Sequence, residues 1–224
     1  FGADPFPPEA YESGKITAVN MDSEEMVAAL QAKADLTYKH GVAPNPAASE
    51  ALSAQGNVIG TGKVAMIYQG GWGIWELNGL EGVNWGVGAV PRQSSNKIPT
   101  FSDPWYITKA SKEPASAFEL VKYLTTGPGQ KSIALDLAAP PADQTLLSEW
   151  YKNFTTVDAA DLEQVYKGAI ERAQETPASL LFGYIQVEDV YNQVTAPLWN
   201  GEKSAAEVLP EVDKAAEEAL QTLG

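Results

Sequence analysis

Short β-forming runs alternate along this chain with stretches of helical spacing, and glycine or proline ends each run. Lys63–Tyr68 (KVAMIY) reads as a buried strand and stops at Gly70-Gly71, while Asn84–Val90 (NWGVGAV) reads as a second strand closed by Pro91. A third extended run, Trp105–Thr108, comes after the polar loop QSSNKIP. Few strands joined through helices give an α/β fold. No repeat recurs at a fixed period.

The helices are read from their boundaries. Asp22-x-x-Glu25 has the form of a capping box, which predicts a helix over 23–39 burying Met26, Leu30 and Ala34 and stopping at Gly41. The segment SEALSAQG predicts a short helix, and residues 72–80 another that ends near Gly79 or Gly82. Pro114 suits a first helical turn, and Ala117, Phe118, Val121 and Leu124 then form one stripe before GPG at 127–129. Further helices are expected over 129–137, 143–153, 158–174 and 186–199. The last opens with the box Ser204-x-x-Glu207, carries Pro210 as a kink, and turns Val208, Leu209, Val212, Ala215 and Ala219 inward.

Composition narrows the chemistry. With 15 Lys+Arg against 29 Asp+Glu, the net charge is -14, and no basic cluster offers a nucleic acid or an anionic membrane a binding face. The absence of cysteine removes thiolate nucleophiles, disulfides and zinc–thiolate sites. No run approaches the roughly 18 apolar residues of a membrane span. The opening FGADPFPPEAYESG has neither an initiator Met nor a signal peptide and reads as the continuation of a longer chain.

Candidate motifs fail one after another. GNVIGTGKV at 56–64 lacks a phosphate loop's first glycine, Asn57 standing there, and has Val64 where Ser or Thr would hold magnesium. GVGAVP at 86–91 lacks the third glycine of a dinucleotide fingerprint. The one histidine, His40, sits at a predicted helix end, where it favours the dipole. Asp158, Asp161 and Glu163 complement a helix start and lack calcium-loop spacing. No catalytic residue, metal ligand or cofactor is expected. Glu76 and Asp103, the two acids nearest the tryptophans, leave a glycan-acting enzyme as an alternative.

Trp72 and Trp75 follow the glycine pair directly. Trp72 at a helix entrance has free backbone N–H groups as neighbours, and Gly70 and Gly71 leave that entrance sterically open. Trp72 and Trp75 share a face by their spacing. Trp105-Tyr106 is a second aromatic pair, beside Asp103. An indole plane next to amides and a carboxylate suits a sugar ring, with the apolar C–H face on the aromatic and the hydroxyls at its edge. Stacking adds roughly 0.5–1.5 kcal/mol per ring beyond area burial, and two or three rings reach micromolar affinity, about -8 kcal/mol. Trp85, Trp150 and Trp199 are read as core.

The order GKVAM (62–66), GGW (70–72), GVGAVP (86–91), WYITKASK (from 105), EPASAFELVKYLTTGPGQ (113–130) and AAPPADQ (138–144) resembles the extracytoplasmic solute-binding proteins of ABC sugar importers, the maltose-binding-protein group. The resemblance runs from about residue 14 to the C-terminal helix. It implies a type II periplasmic-binding-protein-like fold, of which this chain carries mostly the C-terminal lobe plus the returning segment of the N-terminal lobe. On that mapping residues 1–98 begin the second lobe. Residues 99–152 hold the hinge crossing (99–104) and the returning first-lobe segment, and 153–224 complete the second lobe. The N-terminal part of the first lobe, missing from this chain, becomes a partner. The resemblance also implies a carbohydrate ligand held between lobes that close by a hinge, permease subunits as partners, and an extracytoplasmic place, in a periplasm or membrane-anchored as a lipoprotein. Trp72 matches the family's sugar-stacking aromatic, and Tyr184 in SLLFGYIQ falls near a later aromatic contact. Where many members carry glycines before the crossing strand, this chain has Ser102-Asp103-Pro104, so Asp103 is either a hydroxyl acceptor or part of a stiffened hinge. A polyamine, a peptide or an organic phosphate on the same fold stays open as a ligand.

Overall fold

The structure is a computed structural model that describes residues 1–101, 103–136, 140–175 and 181–223. Ser102 and residues 137–139, which fall in the expected crossing and in the AAPPADQ loop, lie outside the described residues. Two compact units form: Phe1–Ala54 with Pro91–Phe101 and Gln174–Gly224, and Gln55–Val90 with Ser102–Ala173.

The first unit is built on helix Ala205–Gln221. Its start is fixed locally: the Ser204 N–H donates to the Glu207 carboxylate at 2.8 Å, completing the expected capping box. Hydrogen bonds from Ser204 hold the Glu207 carboxyl below the usual carboxylate range. Its buried stripe is Ala205, Val208, Leu209, Val212, Ala216 and Leu220. Ala216 and Leu220 therefore replace the expected Ala215 and Ala219: the buried face continues from Val212 in steps of four, and step three was the other choice that the helical period allows. Phe6, Ile16, Met21, Ala34, Val187 and Leu198 close the core around it.

Helix Glu24–Tyr38 packs Ala34 inward with Met26 and Leu30 partly buried, but Asp22 is not its cap. Ser23 takes the N-cap position without a side-chain cap bond. The N–H groups of Met21 and Asp22 donate instead to the two carboxylate oxygens of Asp213, at 2.8 and 3.2 Å. A tertiary acceptor has replaced the local box. Burial, outranking those bonds, raises the Asp213 carboxyl above its ordinary pKa. Helices Tyr184–Val194 and Ala196–Trp199 complete the unit. Trp199 sits at the core's edge, its indole N–H donating to the buried Thr195 hydroxyl at 3.0 Å.

The second unit is centred on aromatic rings. Trp150 is fully buried, with Phe154 at 4.8 Å and Tyr166 at 4.9 Å between ring centroids, both edge-to-face. Ile74, Tyr151 and Leu162 fill the rest, with Trp75 and Trp85 packed against it. Helix Ala159–Glu171 supplies Leu162 and Tyr166, and Asp158 caps it by accepting the Ala160 N–H at 2.7 Å. The 56–64 segment is a turn, as read, with Asn57 accepting the Ile59 N–H at 3.0 Å.

Two expectations for this unit are corrected. Among the described residues strands are confined to Ile98–Thr100 and Ala173–Glu175, which pair with each other. Residues 63–68 and 84–90 make no backbone–backbone hydrogen bonds there, and in 105–108 the Thr108 carbonyl takes only a turn bond from Ser111, so the three expected strands are not formed. A strand is held by its neighbours and not by its own residues, and side chains meant for a covered face stand in solvent: Met66 is 86% exposed. Helix Pro114–Thr125 likewise leaves Phe118 exposed and its stripe only half-buried.

Candidate functional site

Residues 69–73 make the most constrained turn of the second unit. The Gly73 N–H donates to the Gly70 carbonyl at 3.0 Å, closing a 3-10 turn over Gly71–Gly73, and helix Ile74–Asn78 continues from it. Ile74 and Leu77 anchor that helix in the core. Trp75 turns inward onto Phe154, 5.9 Å away and edge-to-face, so it does not share an exposed face with Trp72.

Glycine is required here for space. None of Gly70, Gly71 and Gly73 has a positive φ. A Cβ on Gly70 would lie 2.2, 2.3 and 2.4 Å from three six-ring carbons of Trp72. Near-equal distances to three adjacent ring atoms mean that the indole lies face-on against the Gly70 backbone. A Cβ on Gly71 would lie 2.0 Å from the Tyr166 hydroxyl, and one on Gly73 2.2 Å from Cγ of Gln69. The expected open entrance is therefore filled: Trp72 covers Gly70 and Tyr166 covers Gly71. The expected row of free N–H groups shortens too, since those of Gly73 and Ile74 are taken by Gly70 and Gly71 carbonyls. What remains is an indole backed on one face and 53% exposed.

The hydroxyl beneath this turn is unusual. The Tyr166 OH, the Tyr151 OH and the Trp150 N–H are all buried with no hydrogen-bond partner among the described residues. Burial first, and Tyr151 second, push the Tyr166 hydroxyl pKa well above the tyrosine norm. Burial first, and then Glu163, raises that of Tyr151. Both stay neutral donors at any physiological pH. The sequence carries no sign of Tyr166's role except its place one turn after Leu162 on a core-facing helix. Gln69, also missed, stands directly before the glycine pair.

The other expected site residues are not gathered at this turn. Asp103 and Trp105 lie exposed on the unpaired run, without a hydrogen bond, ion pair or ring contact among the described residues. Glu76 is exposed and accepts from the Asn57 amide at 3.3 Å. Tyr184 belongs to the first unit, where its ring packs edge-on to Phe6 at 6.4 Å and its hydroxyl donates to Glu188 at 3.1 Å. Burial, then Glu188, raises its pKa. Two open grooves occur in the second unit, about 540 Å³ along 78–84 with Thr156, and about 390 Å³ between 87–89 and the Asp161–Arg172 face; neither contains Trp72. No group of acids and histidine among the described residues could hold a metal, and no helix there is long and apolar enough to cross a membrane.

A family profile described as bacterial extracellular solute-binding protein matches residues 8–159. This chain belongs to that family. The solute-binding protein is therefore extracytoplasmic. Among solved structures it is similar to an ABC substrate-binding protein from Listeria monocytogenes in complex with cycloalternan, with a TM-score of 0.75 at 16% identity. The superposition covers 98% of this chain and 54% of that one, so the solute-binding protein spans about half the length of the structure it matches. That likeness shows a shared type II periplasmic-binding fold. No curated protein matches the chain.

Proposed function

We propose that this solute-binding protein is part of a non-catalytic carbohydrate receptor of an ABC importer, with Trp72 as the stacking platform for a sugar ring. The observation that carries the reading is the indole laid face-on against Gly70 yet 53% exposed. An aromatic held flat by its own backbone loses little freedom when a ring stacks on it. The similar Listeria protein, solved with cycloalternan, makes a sugar the first ligand to try. Gly70 and Gly71 support the platform. Asp103 and Trp105 are in this reading further ligand contacts of the second unit and Tyr184 one of the first, and permease subunits recognise the ligand-bound state. In the same reading 1–98 and 153–224 belong to one lobe and 105–152 to the other, a complementary lobe portion is a partner, and the protein works in a periplasm or on a membrane anchor. Catalysis has no support from Glu76 and Asp103, which are exposed and unpositioned by core contacts.

Tryptophan emission of the chain, titrated with glucose, maltotetraose, cycloalternan and spermidine, tests this. A saturable change with at least one sugar, abolished in Trp72→Ala, is expected. A response to spermidine alone, or a sugar response that survives Trp72→Ala, would overturn it.

A further inference from the structure

Gln69 carries the polar side chain of the turn 69–73 that holds the indole. Its Cγ, Cδ and amide nitrogen would all come within 2.7 Å of a Cβ on Gly73, so the carboxamide is laid across that glycine just as Trp72 is laid across Gly70. The Gly73 N–H to Gly70 carbonyl bond ties the two supporting glycines together at 3.0 Å. Gln69 is exposed, and among the described residues no hydrogen bond takes up either end of its carboxamide. The group carries a donor and an acceptor side by side, the pattern that adjacent sugar hydroxyls, each donor and acceptor, satisfy in plane. It is also uncharged, as a neutral ligand requires.

We propose that the Gln69 carboxamide binds a pair of adjacent hydroxyls on the sugar ring stacked over Trp72, and so sets which ring is accepted there. The inference rests on the carbohydrate reading above and adds its polar specificity element. Stacking tolerates any ring with an apolar face; a donor–acceptor pair at fixed spacing selects vicinal hydroxyls in one relative orientation.

The test uses the whole chain, with isothermal titration by maltotetraose and by its counterpart deoxygenated at one of two adjacent hydroxyls on the terminal ring. Gln69→Met keeps the aliphatic stem that packs on Gly73 while removing both polar atoms. Gln69→Ala with a thermal melt shows whether the turn itself survives. Two hydrogen bonds of ordinary strength correspond to about a tenfold rise in Kd. The expected result is that rise in Gln69→Met, with wild type losing affinity for the deoxy sugar and Gln69→Met losing none further. Unchanged binding in Gln69→Met, or equal deoxy penalties in both proteins, would overturn the role of Gln69 and leave the Trp72 reading standing. Absence of sugar binding in wild type would overturn both.

Discussion

Replacing Tyr166 by phenylalanine should stabilise the second unit. The hydroxyl is buried without a partner and sits 2.0 Å from where a Gly71 Cβ would be; the next atom of the ring, Cζ, is at 3.1 Å. An unmade buried hydrogen bond costs about 1–3 kcal/mol. Against that, losing one oxygen forfeits a few contacts of about 0.1–0.2 kcal/mol each, which leaves a net gain of about 1 kcal/mol. The same distances set the sign of a second effect. Gly71→Ala alone drives a methyl into the hydroxyl and should cost about 1–3 kcal/mol, as overpacking does. In the Tyr166→Phe background the nearest atom withdraws to 3.1 Å, so the alanine should cost at least ~1 kcal/mol less, a coupling well above the noise of a double-mutant cycle. Urea unfolding followed by tryptophan emission reads this unit selectively, since Trp72, Trp75, Trp85, Trp105 and Trp150 lie in it and only Trp199 outside. Destabilisation by Tyr166→Phe, or strict additivity of the two substitutions, would refute the packing of that hydroxyl on Gly71.

Three further substitutions test the first unit. Asp213→Ala should lower its stability by about 1–3 kcal/mol, chiefly by leaving the N–H of the buried Met21 without an acceptor. Because the folded pKa of Asp213 is raised, its titration favours the folded state most below the ordinary aspartate pKa, and that advantage is lost as pH rises through the raised value. The gap between wild type and Asp213→Ala, followed by circular dichroism in urea, should therefore be wider at acid than at neutral pH. Ser204→Ala should lower the melting temperature by removing a cap. Glu207, whose folded pKa is depressed, should keep its part of the box above the ordinary glutamate pKa and lose it as pH falls through the lowered one, which a melt series of Glu207→Gln against wild type would show as converging curves.

What the sequence made legible was whatever a few consecutive residues decide. The Ser204–Glu207 box, the helix start at Asp158 and the turn at 56–64 all form from groups within four residues of one another, so no tertiary partner is needed to read them. At Ala215–Ala216 the same logic ran short, because both positions fit the helical period from Val212 and two alanines offer no contrast. Asp22 looked like a cap because its competitor, Asp213, is distant in sequence and adjacent only in the fold. The runs at 63–68 and 105–108 were recognisable as strand-like, but pairing is a property of two segments, and one segment cannot announce it. Trp72 stood out in the sequence by its place after two glycines. Their purpose was misread, since the side chain that fills Gly71 arrives from the helix Ala159–Glu171.

The bond from Asp213 to Met21 joins residues 192 apart in the chain. Until helix Ala205–Gln221 is in place, the lead-in to helix Glu24–Tyr38 lacks that acceptor, and the core around Phe6, Ile16 and Ala34 lacks its central stripe. The second unit meets no such delay, since it is complete by residue 173. The second core is thus closed by segments within 55–173, whereas the first depends on residues from both sides of that span meeting before its apolar surfaces are covered.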